Sequence, residues 1–168
     1  MLALRGGVEI NYPVKILAAT AAPVIIADLV TKELVMRLMT YGQSIPVVPG
    51  LFNLVYYKNP GAAFSVFASG GVLRTLFLIG SSVVALIAIA VLLRRPTGRW
   101  MTIALSLIAG GATGNLIDRV RFGWVVDFLD FYASGYHWPA FNAADSAITV
   151  GVGMAIVNYY IAERKKQG

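Results

Sequence analysis

The sequence has no cysteine and a single histidine, His137. Disulfides, thiolate nucleophiles and iron–sulfur ligation are thereby excluded, and so are bis-histidine haem and histidine-rich zinc sites. Charge is scarce as well: of 168 residues only 13% are charged, against 58% hydrophobic. With a mean hydropathy of +0.72, such a chain would aggregate in water, and its solvent is a lipid bilayer. Acids are the scarcer charges, 8 against 14 Lys and Arg, for a net charge of +6. The basic residues are scattered or flank apolar segments, the pattern of membrane topology and not of a nucleic-acid surface. Chemistry is left to carboxylates, hydroxyls, lysine and arginine, and neither a metal nor another cofactor is expected.

Crossing about 30 Å of hydrocarbon takes roughly 20 apolar residues. Four segments qualify, at about 16–36, 72–93, 100–117 and 144–162. The first carries Asp28 and Lys32 near its far end; the second is free of charge until Arg94-Arg95-Pro96; the third contains "GGATGN"; the fourth ends in Glu163-Arg164-Lys165-Lys166. The predicted fold is an α-helical integral membrane protein, a four-transmembrane-helix bundle in a single domain, 1–168. Placing both termini and the Arg94–Arg99 loop in the cytoplasm puts eight basic residues inside (Arg5, Lys15, Arg94, Arg95, Arg99, Arg164, Lys165, Lys166) against six outside. A cleaved signal peptide is rejected, because cleavage would discard the helix bearing Asp28 and Lys32. Between spans one and two, residues 41–68 mix Val, Phe and Tyr with the turn signals Pro49-Gly50 and Asn59-Pro60-Gly61, which predicts two or three strands in a small extracytoplasmic sheet. Residues 120–142 form an aromatic-rich outer loop, with Trp124, Phe128, Phe131, Tyr132, Tyr136, Trp138 and Phe141 suited to the membrane interface.

The few polar residues within this chain cluster. Asp28 and Lys32 stand four apart in the favourable order for one helix face, and either set where a helix ends or serve a site. Gly110 and Gly114 give a small-xxx-small face for close helix approach. Asn115, Asp118 and Arg119 project from one side of the same helix, with Asp118 able to neutralise Arg119 and Asn115 placed a turn deeper, toward a polar cavity. Asn142 can cap span four, and Asp145 would then sit at N3, where the helix dipole favours an acid. Asp127, between "WVV" and "FL", has no such structural reason. An ionisable group in apolar surroundings is a functional candidate, and Asp127 and Asp145 both lie at the same ends of their spans. Asp130 reads as a solvated loop acid.

"DLVTK" (28–32), "NPGAAFS" (59–65), "GGATGNLIDR" (110–119), "VVDF" (125–128) and "FNAADS" (141–146) together resemble the five sequence blocks of the lipoprotein signal peptidase family, or signal peptidase II, over about Pro13 to Ala162. The resemblance implies an aspartic endopeptidase of the bacterial inner membrane that cuts prolipoproteins before a diacylglyceryl-modified cysteine. By motif position the catalytic pair is Asp127 and Asp145; Asn59, Gly61, Asn115, Arg119 and Asn142 line the site and hold substrate or the aspartates; Asp28, Lys32 and Asp118 support it. The resemblance further implies a monomer, embedded in membrane lipid, with its site toward the periplasm and open to cyclic peptides of the globomycin type.

Two close carboxylates in a low-dielectric setting share one proton, which supplies a base and an acid at the same pH. Rival readings use the same residues differently. A small proton or cation transporter would relay through Asp28, Asp118, Asp127 and Asp145, although all four lie toward one end of their spans. A serine peptidase would pair Ser65 or Ser146 with Lys58 or Lys32. A scaffold held by glycine faces would need neither aspartate.

Overall fold

The computed structural model describes residues 12–61, 71–95 and 97–167. Residues 62–68 of the β-rich segment, with Ser65, and Arg5 near the N-terminus lie outside the described residues. Among the described residues there are four long helices, α1 (Tyr12–Leu38), α2 (Gly71–Leu93), α3 (Arg99–Phe122) and α4 (Ala143–Gln167), and four strands, β1 (Ser44–Val48), β2 (Phe52–Asn59), β3 (Val125–Ala133) and β4 (Tyr136–His137). The first three helices are long and apolar enough to cross a membrane. The fourth is as long but more mixed, with Val150, Val152, Ile156, Val157 and Ile161 exposed along it.

Helix α3 is central and packs against the other three. Its sequence explains why: Thr102, Ala104, Ser106, Ala109, Gly110, Gly111 and Gly114 are all buried, so small side chains face neighbours on several sides. A Cβ at Gly110 would meet the Ala21 backbone of α1 at 3.1 Å, one at Gly111 would strike the Ala144 carbonyl of α4, and one at Gly114 would strike the Asp28 carboxylate. Gly114→Ala is expected to cost about 1–3 kcal/mol through overpacking. Gly153 of α4, with open space beside it, is the control: Gly153→Ala should leave the thermal midpoint unchanged or raise it, and equal behaviour of the two variants would contradict the packing.

The sheet corrects the expected layout. It is antiparallel in the order β1-β2-β3-β4, so half of it comes from the α1–α2 connection and half from the α3–α4 connection, which was expected to be a loop. Helix α3 also runs to Phe122, beyond the expected end at 117. There Gly123, at φ 79, closes the helix with its N–H on the Arg119 carbonyl at 2.9 Å. The chain turns directly into β3, whose "VVDFLDFYA" supplies the β-branched and aromatic residues that suit a pleated surface. Strand β3 pairs with β2, placing Asn59 opposite Val125 and Tyr57 opposite Asp127. Val126 and Phe128 then pack with Tyr56, Val35 and Met39 in a cluster joining the sheet to the end of α1. A second cluster, Ile89, Leu105 and Ala109, joins α2 to α3.

Candidate active site

Asp127 and Asp145 arrive from different elements and meet at one asparagine. Asn142 precedes α4 as its N-cap: its Oδ1 accepts the Asp145 N–H at 2.9 Å, and its own N–H reaches Asp145 Oδ2 at 3.3 Å, a reciprocal capping arrangement. With Oδ1 committed to the helix, Nδ2 must face the other way, and it donates to Asp127 Oδ1 at 2.8 Å. The capping position expected for Asp145 is therefore observed, and the residue that caps it also contacts Asp127.

Each acid has one more amide. Asn59 Nδ2 donates to Asp127 Oδ2 at 2.9 Å, and Asn115 Nδ2 donates to Asp145 Oδ1 at 2.8 Å. Gly61 sets the first of these: its N–H bonds Asn59 Oδ1 at 2.8 Å, and its φ of 89 makes the tight turn that brings the amide round. Asn115 is oriented from below, because Lys32 Nζ, which can only donate, sits 2.9 Å from Asn115 Oδ1. Arg119 stands within electrostatic reach of Asp145, Asp127 and Asp118.

Behind this layer is a buried charge triad. Lys32 Nζ lies 2.7 Å from Asp28 Oδ2 and 3.1 Å from Asp118 Oδ2. The two acids also hold backbone: Asp28 Oδ1 accepts the Ala144 N–H at 2.9 Å and Asp118 Oδ2 the Val126 N–H at 3.1 Å. Ala144 and Val126 each immediately precede a site aspartate, so the triad fixes both acids through their neighbours. Asp118 thus pairs with Lys32, where the sequence pointed to Arg119.

Asp127 is almost fully buried, at 3% exposure. Burial is the main reason its carboxyl is pushed up to about 6; the charge of Asp145 adds to the rise, while the hydrogen bonds from Asn59 and Asn142 and the charge of Lys32 oppose it. Asp145 is half-buried and borders a cavity of about 450 Å³, with Trp138, Phe141, Ser146, Thr149 and Val150 among its lining.

One expectation fails here, and one rival reading is narrowed. Asp130 is not a solvated acid: it is buried, accepts from Asn53 Nδ2 at 2.8 Å and contacts His137 Nδ1 at 2.9 Å. The available signal was the register that sets Asn53 opposite Asp130 across β2 and β3, invisible until those strands are known to pair. Of the serine route, Ser146 Oγ bonds the Asn142 carbonyl at 2.9 Å, Lys32 is held by the triad and Lys58 lies over the Tyr41 and Trp124 rings, while Ser65 is outside the described residues. Among the described residues no group of three or more histidines, aspartates or glutamates is set to hold a metal.

The family model for signal peptidase (SPase) II matches residues 20–161, most of the chain. The chain belongs to the signal peptidase II family. The lipoprotein signal peptidase of Geobacter metallireducens is 49% identical over 158 residues, 93% of this chain and 96% of that relative. That of Cupriavidus necator is 52% identical over 141 residues, 83% of this chain and 80% of its own. A solved bacterial membrane enzyme shares the architecture at a TM-score of 0.81 with 34% identity, covering 91% of this chain and 92% of its own. A second aligns at 0.79 and 36%, covering 87% and 93%. As a signal peptidase II the chain is an aspartic peptidase of bacterial membranes.

Proposed function

We propose that Asp127 and Asp145 are the catalytic dyad with which this signal peptidase II removes signal peptides from prolipoproteins, cutting on the N-terminal side of a diacylglyceryl-modified cysteine. The observation that carries this reading is Asn142, which donates to the Asp127 carboxyl from Nδ2 at 2.8 Å and to the Asp145 carboxyl from its backbone N–H at 3.3 Å. It ties the two carboxyls to one residue, with Asp145 bordering the cavity and Asp127 buried behind it, an arrangement that favours one proton serving both.

Asp127, the more buried, keeps the shared proton. Asp145, at the cavity and held by two donors, takes a proton from the attacking water, and Asp127 donates to the oxyanion forming on the scissile carbonyl. The proton gained by Asp145 then goes to the leaving amine as the C–N bond breaks, and one hydroxyl of the collapsing diol returns its proton to Asp127. Arg119, Asn59 and Asn115 steady the charges as they move, and the cavity beside Asp145 receives the substrate segment next to the cut. A four-span topology with both termini cytoplasmic and the site toward the periplasm fits the basic groups Arg94, Arg95, Arg99, Arg164 and Lys165, which lie at the ends of α2, α3 and α4 away from the sheet. A monomer open to globomycin-type peptides completes the reading. Purified protein should convert a diacylated precursor to a product beginning at the modified cysteine, and globomycin should block it; cleavage elsewhere in the precursor would refute the assignment.

The pH profile tests the assignment of roles. A raised carboxyl holds its proton to higher pH than a free one, so kcat/KM should fall as pH climbs through about 6, where the dyad loses its only proton. Asn59→Ala removes a donor that favours ionised Asp127, and the alkaline limb should shift upward. A limb that stays in place in this variant would detach it from Asp127.

A further inference from the structure

A cavity of about 440 Å³ opens between α1 and the end of α3, lined by Leu29, Val30, Glu33, Leu34, Arg37 and Arg121, none of which belongs to the catalytic network. Arg37 lies in the last turn of α1 and Arg121 in the last turn of α3. Leu29 is two turns deeper on α1, about 12 Å at 1.5 Å per residue. Within a hydrocarbon half-thickness of about 15 Å, the cavity therefore has one end at headgroup level and the other among acyl chains.

The charged rim is unbalanced. Arg37 Nε donates to Glu33 Oε1 at 2.7 Å, and Arg121 Nη2 lies 4.0 Å from Glu33 Oε2, an ion pair without a hydrogen bond. Two guanidiniums share one carboxylate, which leaves a net charge of about +1 and most of their ten N–H donors for another anion. Arg121 is steadied over the Phe122 ring at 4.5 Å, and both arginines are accessible, at 73% and 49% exposure. A paired guanidinium fork is the geometry that grips phosphate. Below the rim, Val30 and Leu34 are half exposed, a surface that a soluble anion leaves uncovered.

We infer that this cavity binds one anionic phospholipid, its phosphate between Arg37 and Arg121 and an acyl chain along Leu29, Val30 and Leu34. Glu33 tunes the site by competing for the same guanidiniums, so removing its charge strengthens binding.

The test uses full-length protein in phosphatidylcholine nanodiscs doped with phosphatidylglycerol, with retained lipid counted by native mass spectrometry. The wild type should keep one phosphatidylglycerol in preference to phosphatidylcholine. Arg37→Gln/Arg121→Gln should retain it roughly thirtyfold less, from the loss of two near-surface charges, and Glu33→Gln should retain it more. Arg94→Gln/Arg95→Gln, at the other end of the bundle, should match the wild type. Equal retention by the wild type and the Arg37/Arg121 variant would overturn the site, as would displacement of the lipid by millimolar inorganic phosphate. The same variant should keep its KM for a prolipoprotein in lipid-free micelles; a raised KM with unchanged lipid retention would give the patch to the substrate instead.

Discussion

Asp127→Asn and Asp145→Asn should each lower cleavage of a diacylated precursor by roughly 10³-fold or more, the scale of losing a general acid or base that acts in concert with a partner. The fold should survive both. At position 127 the substitution replaces a protonated carboxyl with an amide of nearly the same shape, whose single acceptor oxygen serves only one of the two donors, Asn59 and Asn142. The loss is one hydrogen bond, about 1 kcal/mol, so the thermal midpoint should move by only a few degrees. At position 145 the cap weakens, because an amide cannot accept from both Asn115 Nδ2 and the Asn142 N–H with its NH2 end. The double variant should be no slower than either single, since the two groups form one unit. Rates within tenfold of wild type in either single variant would end the aspartic mechanism.

Lys32→Met should be the most damaging change to stability. Asp28 and Asp118 are 0% and 1% exposed, and Lys32 is the one cation within 4 Å of both among the described residues. Removing it strands two buried carboxylates, at a cost of about 3–5 kcal/mol, or a fall of roughly 10 °C in Tm. Activity should go as well, because Asn115 loses the contact that points its Nδ2 at Asp145. Combining Lys32→Met with Asp28→Asn and Asp118→Asn should restore much of the stability, since the amide oxygens can still accept from Ala144 and Val126. A Lys32→Met protein that melts like the wild type, or a triple variant no better than the single, would show that the triad is not what holds these elements.

Much of the site was readable in the sequence because membrane burial makes polar residues conspicuous. Asp127 stands out between valines and phenylalanine, and Asn115 among glycines and leucine, for the same physical reason. The helices were readable by length and apolarity, but the end of α3 was not, because the helix continues past its apolar stretch until Gly123 caps it. What stayed hidden was pairing between distant segments. The aromatic stretch after α3 reads as interfacial loop because Trp, Tyr and Phe serve both a membrane belt and a strand; only the partner β2 decides for β3. Asp118 was matched with its sequence neighbour Arg119 for want of any sign that α1 brings Lys32 to it across 86 positions. The role of Asn142 was half visible: capping is a local signal, whereas its reach to Asp127 depends on where β3 runs.

That β2 and β3 lie side by side has a consequence for biosynthesis. Asn59 is made early, Asp127 much later, and Asp145 with its cap only near the end of translation. A nascent chain still waiting for its last helix holds an incomplete set of acids and amides. On the proposed dyad, no catalytic pair exists until the segment carrying Asn142 and Asp145 docks against β3.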